Sequence, residues 1–305
     1  MGVPERFVRT RFAPSLTGWL HPGHVLHLLF VWGAARRFGA KVVCRMEDHD
    51  RTRWRPEYEP AILEDLAWLG FVPDEGLCFG EAQHPSPYRQ SDCDAAYEMR
   101  LAELAERGLV YGCACSRRAI AERTGYAGGE LRYDGHCAER GLPLEGHTVR
   151  LRLPSAEVEF EDVRMGARRQ TPVRQCGDFA LRDRFGQWSY HFACVCDDVR
   201  QDVDLVVRGE DLLCATGRQI LLFRLFGRVP PAWLHHLLLR DTGGKKLSKR
   251  QRSEGIGALR ESGVSPEGVF GMALHAAGMI GEARPVSMEE ALSCASGEAG
   301  DRTRV

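Results

Sequence analysis

The chain has 305 residues, 44% of them hydrophobic and 27% charged, with a formal net charge of −1. That balance fits a globular protein of one large domain or two to three modest ones, and it rules out a general basic surface for nucleic acid, so such a partner requires a local basic face. No apolar run approaches the roughly 20 residues that span a bilayer, residues Met1 to Arg6 lack the apolar core of a signal peptide, and 11 cysteines, an odd number, argue against a disulfide framework; a cytoplasmic protein without a membrane contact is expected.

In chain order, Phe7–Phe12 reads as a strand running into a Pro/Ser/Gly loop. A helix is predicted from near His24, with Val25, Leu28, Leu29 and Trp32 at helical spacing. Lys41–Met46 is a second strand, ending in Glu47-Asp48-His49-Asp50, and Glu59–Leu69 a second amphipathic helix. Strand–helix–strand–helix order predicts a parallel sheet with ligands at the carboxyl ends of its strands, where Arg11–Ser15 and Glu47 fall. Tyr88–Arg107 is then predicted as one long helix stopped by Gly108. Residues Tyr111 to Gly146 show little periodicity, and Val149–Leu153 and Val158–Phe160 read as strands of an inserted subdomain. The αβ pattern resumes at Trp188–Val195, Asp204–Val207 and Thr216–Phe226, with Cys194 and Cys196 alternating as sheet residues. Ser265 caps a final helix that has Pro266 in its first position and runs to about Ala277; the last twenty or so residues read as frayed.

Two distant motifs carry the chemistry. His21 and His24 lie three apart at a predicted strand-to-helix turn, where Gly23 lets a ligand approach the backbone and exposed N–H groups attract phosphate. Two imidazoles there can donate to phosphate oxygens as charge grows on them. Lys246-Leu247-Ser248-Lys249, within a Gly- and Lys-rich loop, offers two flexible point charges suited to a departing pyrophosphate. Alone, the first motif also fits a surface turn and the second a solvated basic loop. Together they fit a site that holds a nucleoside triphosphate while its α-phosphate is attacked, the chemistry of carboxylate adenylation.

A third cluster is Cys113-Ala114-Cys115 followed by Tyr133-Asp134-Gly135-His136-Cys137. Three thiolates and one more donor can form a closed tetrahedral zinc site. Donor chemistry alone favours His136 as the fourth ligand, although neighbouring ligands at 136 and 137 are cramped. Three reduced thiols without metal remain the alternative. The isolated Cys44, Cys78, Cys93, Cys176, Cys214 and Cys294 carry no such pattern.

Taken together, Thr10-Arg11-Phe12-Ala13-Pro14-Ser15-Leu16-Thr17-Gly18, His21-Pro22-Gly23-His24, Arg45-Met46-Glu47-Asp48-His49-Asp50, Tyr190 with Asp197-Asp198, Arg208-Gly209-Glu210-Asp211-Leu212 and Lys246–Lys249 resemble, in that order, the catalytic domain of class I glutamyl-tRNA synthetases over about residues 6–280. The resemblance implies an α/β, Rossmann-type fold that makes glutamyl-adenylate from L-glutamate and ATP with Mg²⁺. The chain stops soon after the helix at Ser265, where that family continues into a helical anticodon-binding region. In this it resembles the glutamyl-queuosine tRNA(Asp) synthetases, which attach glutamate to queuosine in the anticodon of tRNA(Asp). Those enzymes carry a Cys-x-Cys…Tyr-x-x-x-Cys zinc site, matched here by Cys113, Cys115, Tyr133 and Cys137. Pro22 and Leu16 depart from the family's usual residues, as do Leu247 in place of Met and the looser Arg182-Asp183-Arg184-Phe185-Gly186 turn. None of these removes a chemical group that the reaction needs.

The implied organisation is a first Rossmann half over 1–86, an inserted α+β zinc-containing subdomain over 87–187, a second half with the Lys-rich loop over 188–255, and a short helical region with a frayed tail over 256–305. Glutamate is expected to meet Arg11, Phe12, Ala13, Pro14, Ser15, Glu47, Tyr190 and Arg208, with the arginines pairing its carboxylates and Glu47 its ammonium. ATP is expected at His21, Gly23, His24 and Lys249, with Lys246 closing the loop. Arg164, Arg168, Arg169, Arg117 and Arg118 are candidate phosphate contacts of a bound tRNA. No general base for the transfer step is evident, which leaves the adenylate phosphate. A monomer is expected. Two other readings stay open: a minimal glutamyl-tRNA synthetase charging the 3′ end of tRNA(Glu), and a binding or regulatory protein that has lost the chemistry.

Overall fold

A computed structural model describes residues 4–50, 54–80, 85–239 and 255–297. The first sheet is parallel, in the order β1 (Arg9–Phe12), β2 (Lys41–Cys44), β3 (Glu75–Gly76). Helices α1 (Pro22–Phe38) and α2 (Tyr58–Leu69) connect these strands. A 3₁₀ turn at Gln90–Asp92 precedes α3 (Asp94–Glu106), β4 (Val110–Cys113) and α4 (Arg117–Thr124). Next come β5 (Thr148–Leu151), β6 (Val158–Asp162), β7 (Gly166–Gln170), α5 (Pro172–Gln175) and β8 (Ala180–Arg182). The rest comprises α6 (Tyr190–Arg200), β9 (Leu205–Gly209), α7 (Thr216–Leu225), β10 (Ala232–His236), α8 (Ile256–Glu261), α9 (Pro266–Ala276) and α10 (Met288–Ser296).

The second sheet has the order β7-β6-β10-β9, with β10 parallel to both β6 and β9. An antiparallel sheet, β4-β5-β8, stands apart. The first two sheets meet at β1 and β9. Asp204 stitches them: its carboxylate accepts the amides of Val8 and Arg9, each at 2.8 Å, and its own amide donates to Arg9 O at 3.1 Å. One core joins α1, α2, α9 and α10 to the first sheet; a second lies among α3, α6, α7 and the remaining strands; a third surrounds Cys113, Tyr133 and Cys137.

Four expectations are corrected. Residues 88–92 are not part of the α-helix: Tyr88 O accepts Met46 N at 2.9 Å and Gln90 N donates to Met46 O at 3.1 Å, so the start of this segment extends the end of β2, the 3₁₀ turn follows, and α3 starts at Asp94. Gly108, in the left-handed region at φ +67°, follows the helix as its stop. Cys194 and Cys196 sit on a helix, α6, rather than a strand. Phe192 to Cys196 are all buried, and a run that is apolar on every face carries no period to distinguish helix from strand.

The strands at Val158–Phe160 were expected within an insertion; instead β6 and β7 extend the β10-β9 sheet, with Asp162 opposite Trp233. Finally, residues 287–297, expected to be frayed, are ordered, and the rest of the expected frayed tail lies outside the described residues. Ser287 caps α10 at Glu290 N, and Arg37 Nη1 donates to Ser296 O at 2.8 Å. α10 approaches α1 closely because Gly33 has no side chain: a Cβ there would lie 3.0 Å from Leu292 O. The Ser265 cap and Pro266 start of α9 are as predicted, with Ser265 Oγ accepting from Gly268 N at 3.3 Å. Among the described residues no helix is long and apolar enough to cross a membrane.

Candidate active site

A cavity of about 590 Å³ opens at the carboxyl ends of β1, β9 and β10. Open α/β sheets bind ligands at such ends. Arg11, Phe12, Ala13, Pro14, Ser15, His21, Gly23, His24, Glu47, Tyr190 and Arg208 all line it, so described sequence candidates scattered over some two hundred positions are brought to one place. Lys246 and Lys249 lie outside the described residues. Pairing of the loop after β1 with the end of β2 sets Glu47 beside Ser15: Glu47 N donates to Pro14 O at 3.0 Å and Leu16 N to Glu47 O at 3.4 Å.

At one end of the cavity, the α1 start fixes two imidazoles. His21 Nδ1 accepts Gly23 N and His24 Nδ1 accepts His21 N, each at 3.1 Å, and the ring centroids are 4.0 Å apart. A neutral imidazole has one donor and one acceptor nitrogen. With both Nδ1 atoms accepting, both rings carry their proton on Nε2. Pro22 costs the helix nothing in its first turn, where its missing N–H has no intrahelical partner.

Beneath the cavity lies a buried charge network whose pairings the sequence did not disclose. Asp198 Oδ1 accepts from Arg45 Nη1 at 2.9 Å and from Arg11 Nε at 3.2 Å. Arg45 also donates to Gln201 Oε1 at 2.8 Å and to Glu47 Oε1 at 3.1 Å. Burial alone works to raise the Asp198 pKa, but the two guanidinium groups overcome it and hold the carboxylate below its ordinary range. Arg11 further donates to Val207 O at 3.1 Å, tying β1 to β9. Burial pushes the Tyr190 phenol well up, so it stays a protonated donor.

Arg208 is different. It is 3% exposed, and among the described residues its guanidinium meets only uncharged groups: His235 Nε2 at 3.0 Å, Thr216 Oγ1 at 2.9 Å, Leu212 O at 3.2 Å and the Gln219 amide oxygen, with the Trp233 ring 4.5 Å below. Burial draws its pKa down. A buried cation with no contacting carboxylate, on the wall of a cavity, is arranged for an anionic ligand. His27 and His236 form a second imidazole pair on the same wall, 2.9 Å apart. His236 Nδ1 lies 2.7 Å from Leu237 O, so it donates there, and His236 Nε2 accepts from His27 Nδ1. Arg11, Arg45, Glu47, Tyr190, Asp198 and Arg208 fell within motifs, whereas Gln201, His27 and His236 did not. His27, one helical turn beyond His24, could have been found by that spacing; the pairing of Asp198 with Arg45, 153 positions apart, could not.

The cysteine cluster is also assembled. The Cys113, Cys115 and Cys137 sulfurs lie within 4.8 Å of one another, Cys115 and Cys137 at 3.5 Å. Tyr133 Oη is 3.3 Å from Cys113 Sγ and accepts Cys137 N at 2.9 Å, whereas His136 is exposed and outside the group. The buried phenol, not the imidazole, lies beside the sulfurs. Arg117, Arg118, Arg164 and Arg169 are exposed, and Arg168 is half-buried.

Residues 7–292 match the tRNA synthetases class I (E and Q), catalytic domain, family. The chain is 41% identical to the glutamyl-Q tRNA(Asp) synthetase of Nitratidesulfovibrio vulgaris, over 90% of this chain and 87% of that protein. The chain belongs to the class I tRNA synthetases (E and Q), within the glutamyl-Q tRNA(Asp) synthetase family. It shares the class I catalytic-domain fold. The glutamate–tRNA ligase 2 of Syntrophus aciditrophicus is 36% identical over 94% of this chain and 61% of its own length. A glutamate tRNA ligase from Elizabethkingia meningosepticum, solved in complex with its amino acid, superposes with a TM-score of 0.75 at 27% identity, covering 93% of this chain and 64% of that one. Among class I features, the histidine turn with Pro22 keeps both imidazoles at the cavity, so this departure from the usual residue leaves their placement intact.

Proposed function

We propose that this chain activates L-glutamate with ATP, without tRNA, and transfers the glutamyl group to queuosine in the anticodon of tRNA(Asp). The observation that carries the first step is Arg208, a buried guanidinium on the cavity wall that no carboxylate contacts among the described residues. One carboxylate of glutamate pairs with it, Tyr190 donates a hydrogen bond to the substrate, and Glu47, oriented by Arg45, accepts from the substrate ammonium. Arg11, fixed by Asp198, adds positive potential beside Phe12–Ser15. The chain's similarity to glutamyl-Q tRNA(Asp) synthetases supports the acceptor.

In the adenylation step an oxygen of the glutamate α-carboxylate attacks the α-phosphorus, and the bond to pyrophosphate breaks. Enzyme nucleophiles are not needed, so catalysis rests on positioning and charge stabilisation. The Nε2–H groups of His21 and His24 donate to phosphate oxygens beside Gly23; Lys249 and Lys246 meet the departing pyrophosphate, and Mg²⁺ accompanies ATP. In the transfer step a hydroxyl of the queuosine cyclopentene ring attacks the acyl carbon, AMP leaves, and the adenylate phosphate takes the proton. Arg164, Arg168, Arg169, Arg117 and Arg118 are the phosphate contacts of this reading.

The reading includes one structural Zn²⁺ held by Cys113, Cys115, Tyr133 and Cys137. A Zn–S bond of about 2.3 Å in a tetrahedron sets sulfurs about 3.8 Å apart, and the observed 3.5 Å between Cys115 and Cys137 is close to that. The metal ties the loop between β4 and β5 together and takes no part in the chemistry. The proposed units are a Rossmann-type first half (1–86), a segment 87–187 that carries the zinc cluster and lends β6 and β7 to the second sheet, a second half (188–255) and a short helical region (256–305), acting as a monomer.

Glutamate-dependent ATP–pyrophosphate exchange by the purified protein, with no tRNA added, tests the first step. Exchange with glutamate but not with aspartate or glutamine is expected. No exchange with any of the three overturns the reading.

A further inference from the structure

We infer that Asp162, acting through His235, positions the Arg208 guanidinium for the substrate carboxylate, an inference that rests on the reading of the cavity as a glutamate site. The three residues lie on adjacent strands. Asp162 ends β6, His235 is on β10, and Arg208 on β9 is the register partner of His235. Asp162 is 1% exposed and His235 0%.

The direction of each hydrogen bond follows from Arg208. A guanidinium nitrogen only donates, so His235 Nε2, 3.0 Å from Arg208 Nε, must accept. Thr216 confirms this: its oxygen accepts Arg208 Nη2 at 2.9 Å, which leaves its hydroxyl proton for His235 Nε2 at 3.2 Å. Two donors therefore converge on one ring nitrogen, and the ring's single proton sits on Nδ1. Nδ1 lies 2.6 Å from Asp162 Oδ2, which accepts it.

Asp162 is itself fully committed as an acceptor. Oδ2 also takes His235 N at 3.2 Å, while Oδ1 takes the amides of Arg164 and Met165 at 3.1 and 2.9 Å. All four partners are donors. Asn at 162 would have to turn its NH₂ toward two of them, and if that side is His235, the ring proton moves to Nε2 and opposes Arg208 Nε–H. The carboxylate thus fixes the tautomer, and the tautomer fixes the guanidinium. Asp162 and His235 touch no substrate in this arrangement; they are positioning residues.

The test measures KM for glutamate and for ATP, with kcat, in ATP–pyrophosphate exchange for Asp162→Asn, His235→Phe and His235→Gln. The Gln side-chain oxygen can accept from Arg208 Nε, so of the interactions that Phe removes it restores the one to Arg208. A misplaced charged group costs about 10- to 100-fold. Asp162→Asn and His235→Phe are expected to raise the glutamate KM by about that factor with the ATP KM within about threefold, and His235→Gln is expected to recover most of the loss. Equal shifts in both KM values, an unchanged glutamate KM, or a Gln variant as impaired as Phe would overturn the inference. Should His235→Phe fail to fold, Asp162→Asn, which keeps size and shape, decides against His235→Gln on the same criteria. Wild-type protein without glutamate-dependent exchange would instead contradict the underlying reading, so the two failures are distinct.

Discussion

Arg45 Nη2 donates to Glu47 Oε1 at 3.1 Å, and both side chains are buried, Arg45 completely. Arg45 is also bonded to Asp198, which holds Arg11, so a single chain of charges runs under the cavity from the end of β2 through α6 to β1. The orientation of Glu47 is therefore set from below rather than by its own short loop. Glu47→Gln keeps the shape and removes the charge that the substrate ammonium needs. The expected result is a glutamate KM raised by about 10- to 100-fold, from the loss of a charged hydrogen bond, with little change for ATP. Exchange kinetics check it.

Asp198 has a larger structural share. Asp198→Asn leaves Arg11 and Arg45 buried without their shared carboxylate, and breaking a buried pair on one side costs about 3–5 kcal/mol. Denaturant unfolding should show a loss of that order. A loss below about 1 kcal/mol would contradict the network's role.

The His27–His236 pair gives a pH dependence. Burial holds the His236 pKa down to about 4, and His27 well below its ordinary value. The folded-state value is lower than the unfolded one, so between the two the unfolded chain binds more protons and stability falls as pH is lowered. The window runs from about 6.5, the ordinary histidine value, to about 4. Melting temperatures across this range should fall less steeply for His236→Asn than for wild type, and parallel curves would contradict the assignment.

Lys249→Ala is expected to lower glutamate-dependent exchange by about 10²–10³-fold, the size of a lost charge-stabilising donor. Activity within about threefold of wild type would remove Lys249 from the mechanism.

For the cysteine cluster, metal analysis of the purified chain should find about one zinc per protein. Cys137→Ser and Tyr133→Phe should each release it and lower the melting temperature. Full zinc content in both variants would place the metal elsewhere.

The site was legible in the sequence where its residues are adjacent in the chain or carried by a motif. Phe12–Ser15, His21 and His24 flank a strand-to-helix turn, and such turns face the cavity of a parallel sheet. Ser265 and Pro266 spell out a helix start, and the structure has it. What stayed hidden depends on distance and burial. Asp198 belonged to a quoted motif, but its partners Arg11 and Arg45 and its helix stayed hidden, because the apolar run Phe192–Cys196 before it is buried on all sides and so mimics a strand. Asp162 and His235, 73 positions apart, meet only because β6 joins β10, a pairing that no local pattern encodes. α10 was hidden by its small residues, Ala291 and Ala295, which matter only because Gly33 on α1 admits them.

The most direct test of the account supplies labelled glutamate and ATP with tRNA(Asp) carrying queuosine, tRNA(Asp) lacking it, and tRNA(Glu). The account predicts label on queuosine-containing tRNA(Asp) alone, retained when the 3′-terminal nucleoside is removed. Label at the 3′ end of tRNA(Glu), or none on any tRNA, would contradict it.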